Sequence, residues 1–193
     1  MPPTREPGDS AFFVEVFAGE KILTVAVAHA GVDTLTPWDI QHGTAFNVLR
    51  HGHVLIEAAE AGLIHSAHLA PPCQTYTMAR DRPLRSEEFP EGLRDLSSRE
   101  KLRVSLGNSL TSWTVKFAVA VHESGGYCTI ENPTWSWIWF DPHMLELWRS
   151  PGWGTATFPQ QQFCVDYHKD TFFLHNPPTM QHMRPAEPPL PPT

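Results

Sequence analysis

The chain has 193 residues, 41% of them hydrophobic and 18% charged, which suits one folded domain with a full core rather than a disordered or fibrous chain. A formal net charge of -7 argues against tight, nonspecific nucleic-acid binding, although it leaves room for a local basic groove. Three widely spaced cysteines, Cys73, Cys128 and Cys164, are an odd count without a CxxC pair or a Cys/His cluster, which argues against a disulfide framework and a metal site.

Residues 1–10, MPPTREPGDS, are polar and read as a loose lead-in without the apolar region of a signal peptide. FFVEVF (12–17) is an aromatic and β-branched run expected to form a buried strand. Ile22, Leu23, Val25, Ala26 and Ala30 follow at helical spacing, with Gly31 placed to cap that helix. VDTLTPWDI (32–40) reads as a second strand with Pro37 near its end. Residues 46–62 read as one helix running through Gly52 and ending at Gly62, and LIHSAHLAP (63–71) as a third strand. Alternating strands and helices imply a parallel sheet with crossover helices.

Residues 79–96 form a polar stretch expected to be a long, mobile or functional loop. Ser97 and Glu100 have the spacing of a capping box, which opens a helix to about Ser124. GYCTIENP (126–133) is expected to be another strand, with a short helix at 141–148 and two short strands within 154–176. The domain is expected to close at residue 176, since 177–193 hold seven of the nineteen prolines and read as a disordered tail. No apolar run reaches the ~18 residues of a membrane span.

In an open parallel sheet, ligands bind beyond the carboxyl ends of the strands. Four polar groups fall at such ends: FAGEK (17–21), WDI (38–40), PPCQ (71–74) and IENP (130–133). Two prolines before Cys73 stop the strand and hold the thiol in a rigid turn, and Glu131 ends an apolar strand where an acid is unusual.

In that order, VEVFAG, WDI, PPCQ and ENP resemble the motifs of the cytosine-5 DNA methyltransferases over roughly residues 12–135. The resemblance implies a Rossmann-like, class I S-adenosylmethionine-dependent fold, mostly parallel sheet flanked by helices. It implies that Phe17, Ala18 and Gly19 cradle S-adenosylmethionine, that Asp39 holds its ribose, and that Ile40 or Trp38 lies against its adenine, with Asn47 a second candidate for an adenine contact. Pro72 belongs to the catalytic turn, with Cys73 as the nucleophile, Glu131 bonding the cytosine edge and Asn132 bracing the turn. The implied partner is nucleic acid, DNA before RNA; the cysteine usage, read as reduced thiols, fits a cytoplasmic or nuclear compartment.

Several residues depart from the family pattern. Glu20 and Lys21 stand where further glycines are usual, Pro133 replaces a valine, and no Gln-x-Arg-x-Arg segment is evident in FPQQQF (158–163). About sixty residues follow Glu131, where the family carries a long target-recognition region. A partner chain is one source for that surface. These departures define the alternative: a noncatalytic binding module on a methyltransferase fold. A third reading pairs Cys73 with His68 or His175 as a cysteine hydrolase.

Overall fold

The computed structural model describes residues 12–159 and 170–178. Its strands are β1 (Phe12–Val16), β2 (Ile64–Leu69), β3 (Tyr127–Pro133), β4 (Gly154–Pro159) and β5 (Asp170–His175). Its helices are α1 (Ile22–His29), α2 (Val48–His51), α3 (His53–Glu60), α4 (Ser98–Glu123) and α5 (Pro142–Arg149). The strands lie in one mixed sheet in the order β1-β2-β3-β5-β4. Two compact units divide the chain, one holding residues through Pro71 and Trp113–Ile130, the other Pro72–Ser112 and the residues from Glu131.

In the first unit β1, β2 and β3 run parallel, and their register places Val16 beside Leu69 and Leu69 beside Ile130. All three side chains are fully buried, as expected for strands covered on both faces. The chain turns out of β1 at Phe17 and out of β2 at Ala70, while β3 runs on to Pro133. Glu15 is the polar exception on β1. Its Oε2 accepts the N–H of Thr24 at 2.7 Å, which fixes α1 against the strand and makes Thr24 the buried residue of that helix. Gly31 ends α1 at φ 84°.

Two sequence expectations change here. Residues 32–40 are not a strand: they touch β1 through two isolated parallel bridges, Phe13 to Thr34 and Val16 to Trp38. From Phe13 to Glu15 is two residues on β1, but the partner positions Leu35 and Trp38 are three apart. The extra residue, together with the missing donor of Pro37, interrupts the ladder. The helix expected over 46–62 divides at Gly52 into α2 and α3. A Cβ on Gly52 would lie 2.5 Å from Nε1 of Trp113, so the bare backbone admits the indole.

In the second unit, Ser97 and Glu100 form the expected capping box of α4: the Ser97 N–H donates to Glu100 Oε2 at 2.8 Å. β4 and β5 pair antiparallel, and α5 lies where a short helix was expected. Trp139 packs on Phe172 with ring centroids 4.5 Å apart, and Trp137 is also buried, while Trp135 is exposed. The first two tryptophans are therefore core side chains. Residues 160–169, with Cys164 and most of FPQQQF, and residues 179–193, with most of the proline-rich tail, lie outside the described residues. Among the described residues no helix is long and apolar enough to cross a membrane.

Candidate active site

Of the cofactor residues expected from the sequence, Phe17, Ala18, Gly19, Asp39, Ile40 and Asn47 lie in the first unit, where the turn at Phe17–Gly19 meets Asp39. β1 ends at Val16, and the chain then turns through three left-handed residues in five: Phe17 (φ 60°), Gly19 (φ 47°) and Lys21 (φ 61°). Only glycine takes that conformation without strain, so Phe17 and Lys21 store it, at roughly 1–2 kcal/mol each. The N–H of Phe17 donates to the carbonyl of Trp38 at 2.7 Å. The N–H of Gly19 donates to Asp39 Oδ2 at 3.1 Å, and the N–H of Gln41 donates to Asp39 Oδ1 at 2.9 Å. One carboxylate thus joins the first turn to the second segment and caps the short 3-10 turn Ile40–His42.

A carboxylate offers about four acceptor positions, so both Asp39 oxygens keep capacity for the hydroxyls of a ribose. Among the described residues, nothing beyond its chain neighbours lies within 4 Å of the place a Cβ on Gly19 would occupy. Ile40 is 60% exposed, an apolar surface beside the acid. These residues fit a nucleoside cofactor with a diol and a flat base. Asn47 has a local role: its Oδ1 accepts the N–H of Leu49 at 3.0 Å and caps α2. Ala18 is buried under the turn. Trp113, a residue the sequence did not single out, sets its ring edge-on to Phe17 at 6.2 Å.

Pro72, Cys73, Glu131 and Asn132 belong to the second unit. Cys73 is half-buried, and its carbonyl accepts the N–H groups of Tyr76 at 2.8 Å and Thr77 at 2.9 Å, so the chain folds into a tight turn directly after the thiol. That turn is strapped to the segment after Glu131. The carbonyl of Tyr76 accepts the N–H of Trp137 at 2.8 Å, and Thr77 forms an antiparallel bridge with Ser136. Asn132 is 3% exposed and Glu131 is half-buried on β3. The carbonyl of Pro133 accepts the indole N–H of Trp139 at 2.9 Å, which fixes the end of β3.

Behind the thiol turn stands a residue the sequence placed in a mobile loop. Arg85 is 0% exposed. Its Nε donates to the carbonyl of Thr75 at 3.1 Å, one terminal nitrogen to Thr75 Oγ1 at 3.0 Å and the Val104 carbonyl at 3.1 Å, and the other to Asn108 Oδ1 at 2.6 Å and the Pro90 carbonyl. Its guanidinium carbon lies 3.6 Å over the Tyr76 ring. Burial pulls the Arg85 pKa down, and burial pushes the Tyr76 phenol up to about 12, so that hydroxyl stays protonated. With all its donors taken inside the fold, Arg85 has none to offer a ligand's phosphate. Arg82 is engaged too, 3.4 Å from Asp95. The third reading finds His68 with its Nδ1 2.8 Å from Thr129 Oγ1 and His175 buried on β5.

No protein-family model matches the chain, and no curated protein does. Among solved structures it is similar to the Entamoeba histolytica methyltransferase EhMeth, with a TM-score of 0.52 at 13% identity over 86% of this chain and 53% of that one. It is also similar to the S. pombe Dnmt2 methyltransferase, with a TM-score of 0.49 at 13% identity over 86% of this chain and 49% of that one. The chain spans about half the length of either structure. The likeness to EhMeth, together with the parallel β1-β2-β3 core and the mixed five-stranded sheet, identifies the fold as the Rossmann-like fold of class I S-adenosylmethionine-dependent methyltransferases.

Proposed function

We propose that this protein is a cytosine-5 methyltransferase acting on nucleic acid, DNA before RNA, with Cys73 as nucleophile and Glu131 as its acid partner. The observation that carries this reading is the strap between the turn after Cys73 and the segment after Glu131, Tyr76 to Trp137 and Thr77 to Ser136. It ties together, within one unit, two chain segments some sixty positions apart, each bearing one of the two groups the reaction needs. The Gly19–Asp39 contact supports the cofactor assignment in the same way.

When bound, S-adenosylmethionine supplies an electrophilic methyl group for carbon 5. Phe17, Ala18 and Gly19 hold it along the first turn, Asp39 accepts from the ribose hydroxyls, and Ile40 covers the adenine. Cytosine leaves the stack to reach the thiol turn, where Pro72 and the Cys73–Thr77 turn fix the sulfur's direction. The Cys73 thiolate donates an electron pair to carbon 6, forming the S–C6 bond and moving the ring electrons toward carbon 5. Glu131, protonated, hydrogen-bonds the ring nitrogen as negative charge builds there, and Asn132 braces the turn that presents it. Methylation at carbon 5 would leave S-adenosylhomocysteine as the departing thioether; the carbon 5 proton then passes to solvent, its electron pair re-forms the C5–C6 double bond, the S–C6 bond breaks and the Cys73 thiolate is restored.

The test is transfer of labelled methyl from S-adenosylmethionine to cytosine-containing DNA and RNA oligonucleotides. The reading expects label at carbon 5 with the wild type and none with Cys73→Ser. Tight binding of S-adenosylhomocysteine without transfer to any oligonucleotide would instead favour the noncatalytic module, to which the absent Gln-x-Arg-x-Arg segment points.

A further inference from the structure

Arg85 carries a full charge in the core of the second unit, and among the described residues no carboxylate lies within ion-pair distance of it. Its donors are spent on four neutral residues: both oxygens of Thr75, the carbonyls of Pro90 and Val104, and Asn108 Oδ1. A buried guanidinium held this way is costly unless its geometry is used, because leaving any of those donors unmet costs its desolvation. The same group covers the Tyr76 ring, and Tyr76 Oη lies 2.8 Å from Thr111 Oγ1 on α4. Gly107 of α4 completes the arrangement. A Cβ there would stand 2.7 Å from Thr75 Oγ1 and 2.9 Å from an Arg85 terminal nitrogen, so the helix keeps a bare backbone where the guanidinium passes.

Thr75 and Tyr76 are the second and third residues after Cys73, and the Tyr76 N–H closes the turn on the Cys73 carbonyl. Every Arg85 contact with that turn therefore limits how the thiol is presented. We propose that Arg85 is a positioning residue: it clamps the Thr75–Tyr76 half of the thiol turn to α4 and so sets the accessibility and direction of the Cys73 sulfur. This rests on the reading of Cys73 as the nucleophile, but its test does not need methyl transfer. Lysine is not an adequate replacement, since one ammonium cannot reproduce a planar fork that serves Thr75, Val104, Pro90 and Asn108 at once.

The experiment follows iodoacetamide alkylation of Cys73 and Cys128 by peptide mass spectrometry under native conditions in the wild type, Arg85→Lys and Gly107→Ala. Both variants keep the net positive charge near the turn, so they change geometry rather than charge. Cys128 is fully buried on β3 and reports global opening. The expected result is Cys73 alkylation at least ~5-fold faster in both variants, with Cys128 as protected as in the wild type, the pattern of a local opening. In the methyl-transfer assay, Arg85→Lys lowers kcat and leaves the KM for S-adenosylmethionine unchanged. Equal Cys73 rates in all three proteins would overturn the proposal. So would a rise shared equally by Cys73 and Cys128, which would make Arg85 a general prop of the fold. If Arg85→Lys does not fold, Gly107→Ala decides. A wild type that methylates nothing would remove the nucleophile reading while leaving the alkylation ratio to judge the clamp.

Discussion

The N–H of Trp137 donates to the carbonyl of Tyr76 at 2.8 Å, joining the turn after Cys73 to the segment after Glu131. Tyr76 is central to that junction, because its ring lies under the Arg85 guanidinium and its hydroxyl meets Thr111. Tyr76→Phe keeps the ring and removes the hydroxyl. It is expected to lower stability by about 1 kcal/mol, the worth of one buried hydrogen bond, with little effect on Cys73 alkylation. Urea unfolding measures the first quantity and the alkylation assay the second.

Asp39 has two separable duties. Its oxygens hold the N–H groups of Gly19 and Gln41, and they are proposed to accept from the cofactor ribose. Asp39→Asn keeps one acceptor oxygen and loses the charge. It is expected to weaken S-adenosylhomocysteine binding about tenfold, which corresponds to roughly 1.4 kcal/mol. Isothermal calorimetry reads this directly. Asp39→Ala is expected to lower the melting temperature as well, because both amides then lose their acceptor.

Lys21 stands at φ 61°, immediately before α1. Lys21→Gly relieves that conformation and is expected to stabilise the protein by about 1 kcal/mol. For a chain of this size the melting temperature would rise by roughly 2–4 °C, measurable by calorimetric scanning.

Asp141 is buried and caps α5, its Oδ1 accepting the N–H of His143 at 3.0 Å. Burial, the largest influence, raises its pKa above the ordinary value of 3.8. The folded state therefore favours the protonated form. The stabilisation this gives is complete below pH 3.8 and is lost as the pH rises through the folded-state pKa, so the ionised group is a liability at neutral pH. Asp141→Asn keeps the capping oxygen and cannot ionise. It is expected to be more stable than the wild type at pH 7, with the difference shrinking as the pH falls toward 3.8, followed by urea unfolding across that range.

Much of the fold could be read from local pattern. The buried runs of β1, β2 and β3, the capping box of α4 and Gly31 after α1 are each determined by near neighbours in the chain. The failures have a common origin in long-range packing. Gly52 divides a helical pattern because the Trp113 ring, sixty-one positions away, occupies the place of a side chain. The segment 32–40 looks β-branched enough for a strand, yet one extra residue against β1 breaks its ladder. The motifs supplied the candidates Cys73, Glu131, Phe17–Gly19 and Asp39, and the one link among them that local sequence could not give is the Gly19 N–H on the Asp39 carboxylate. Arg85 was not legible, because an arginine in a polar loop gives no local sign that carbonyls from Thr75, Pro90 and Val104 will close around it.

The central claim is that Cys73 bonds covalently to a cytosine that Glu131 activates, and mechanism-based trapping measures it most directly. The wild type is incubated with S-adenosylmethionine and an oligonucleotide containing 5-fluorocytosine, whose carbon 5 has no proton to release, so the S–C6 bond persists. A denaturation-resistant adduct mapped to Cys73, absent with Cys73→Ser and reduced ~100-fold or more in rate with Glu131→Gln, is the predicted result. Cofactor binding with no adduct to DNA or RNA, or an adduct that survives Cys73→Ser, would contradict the account.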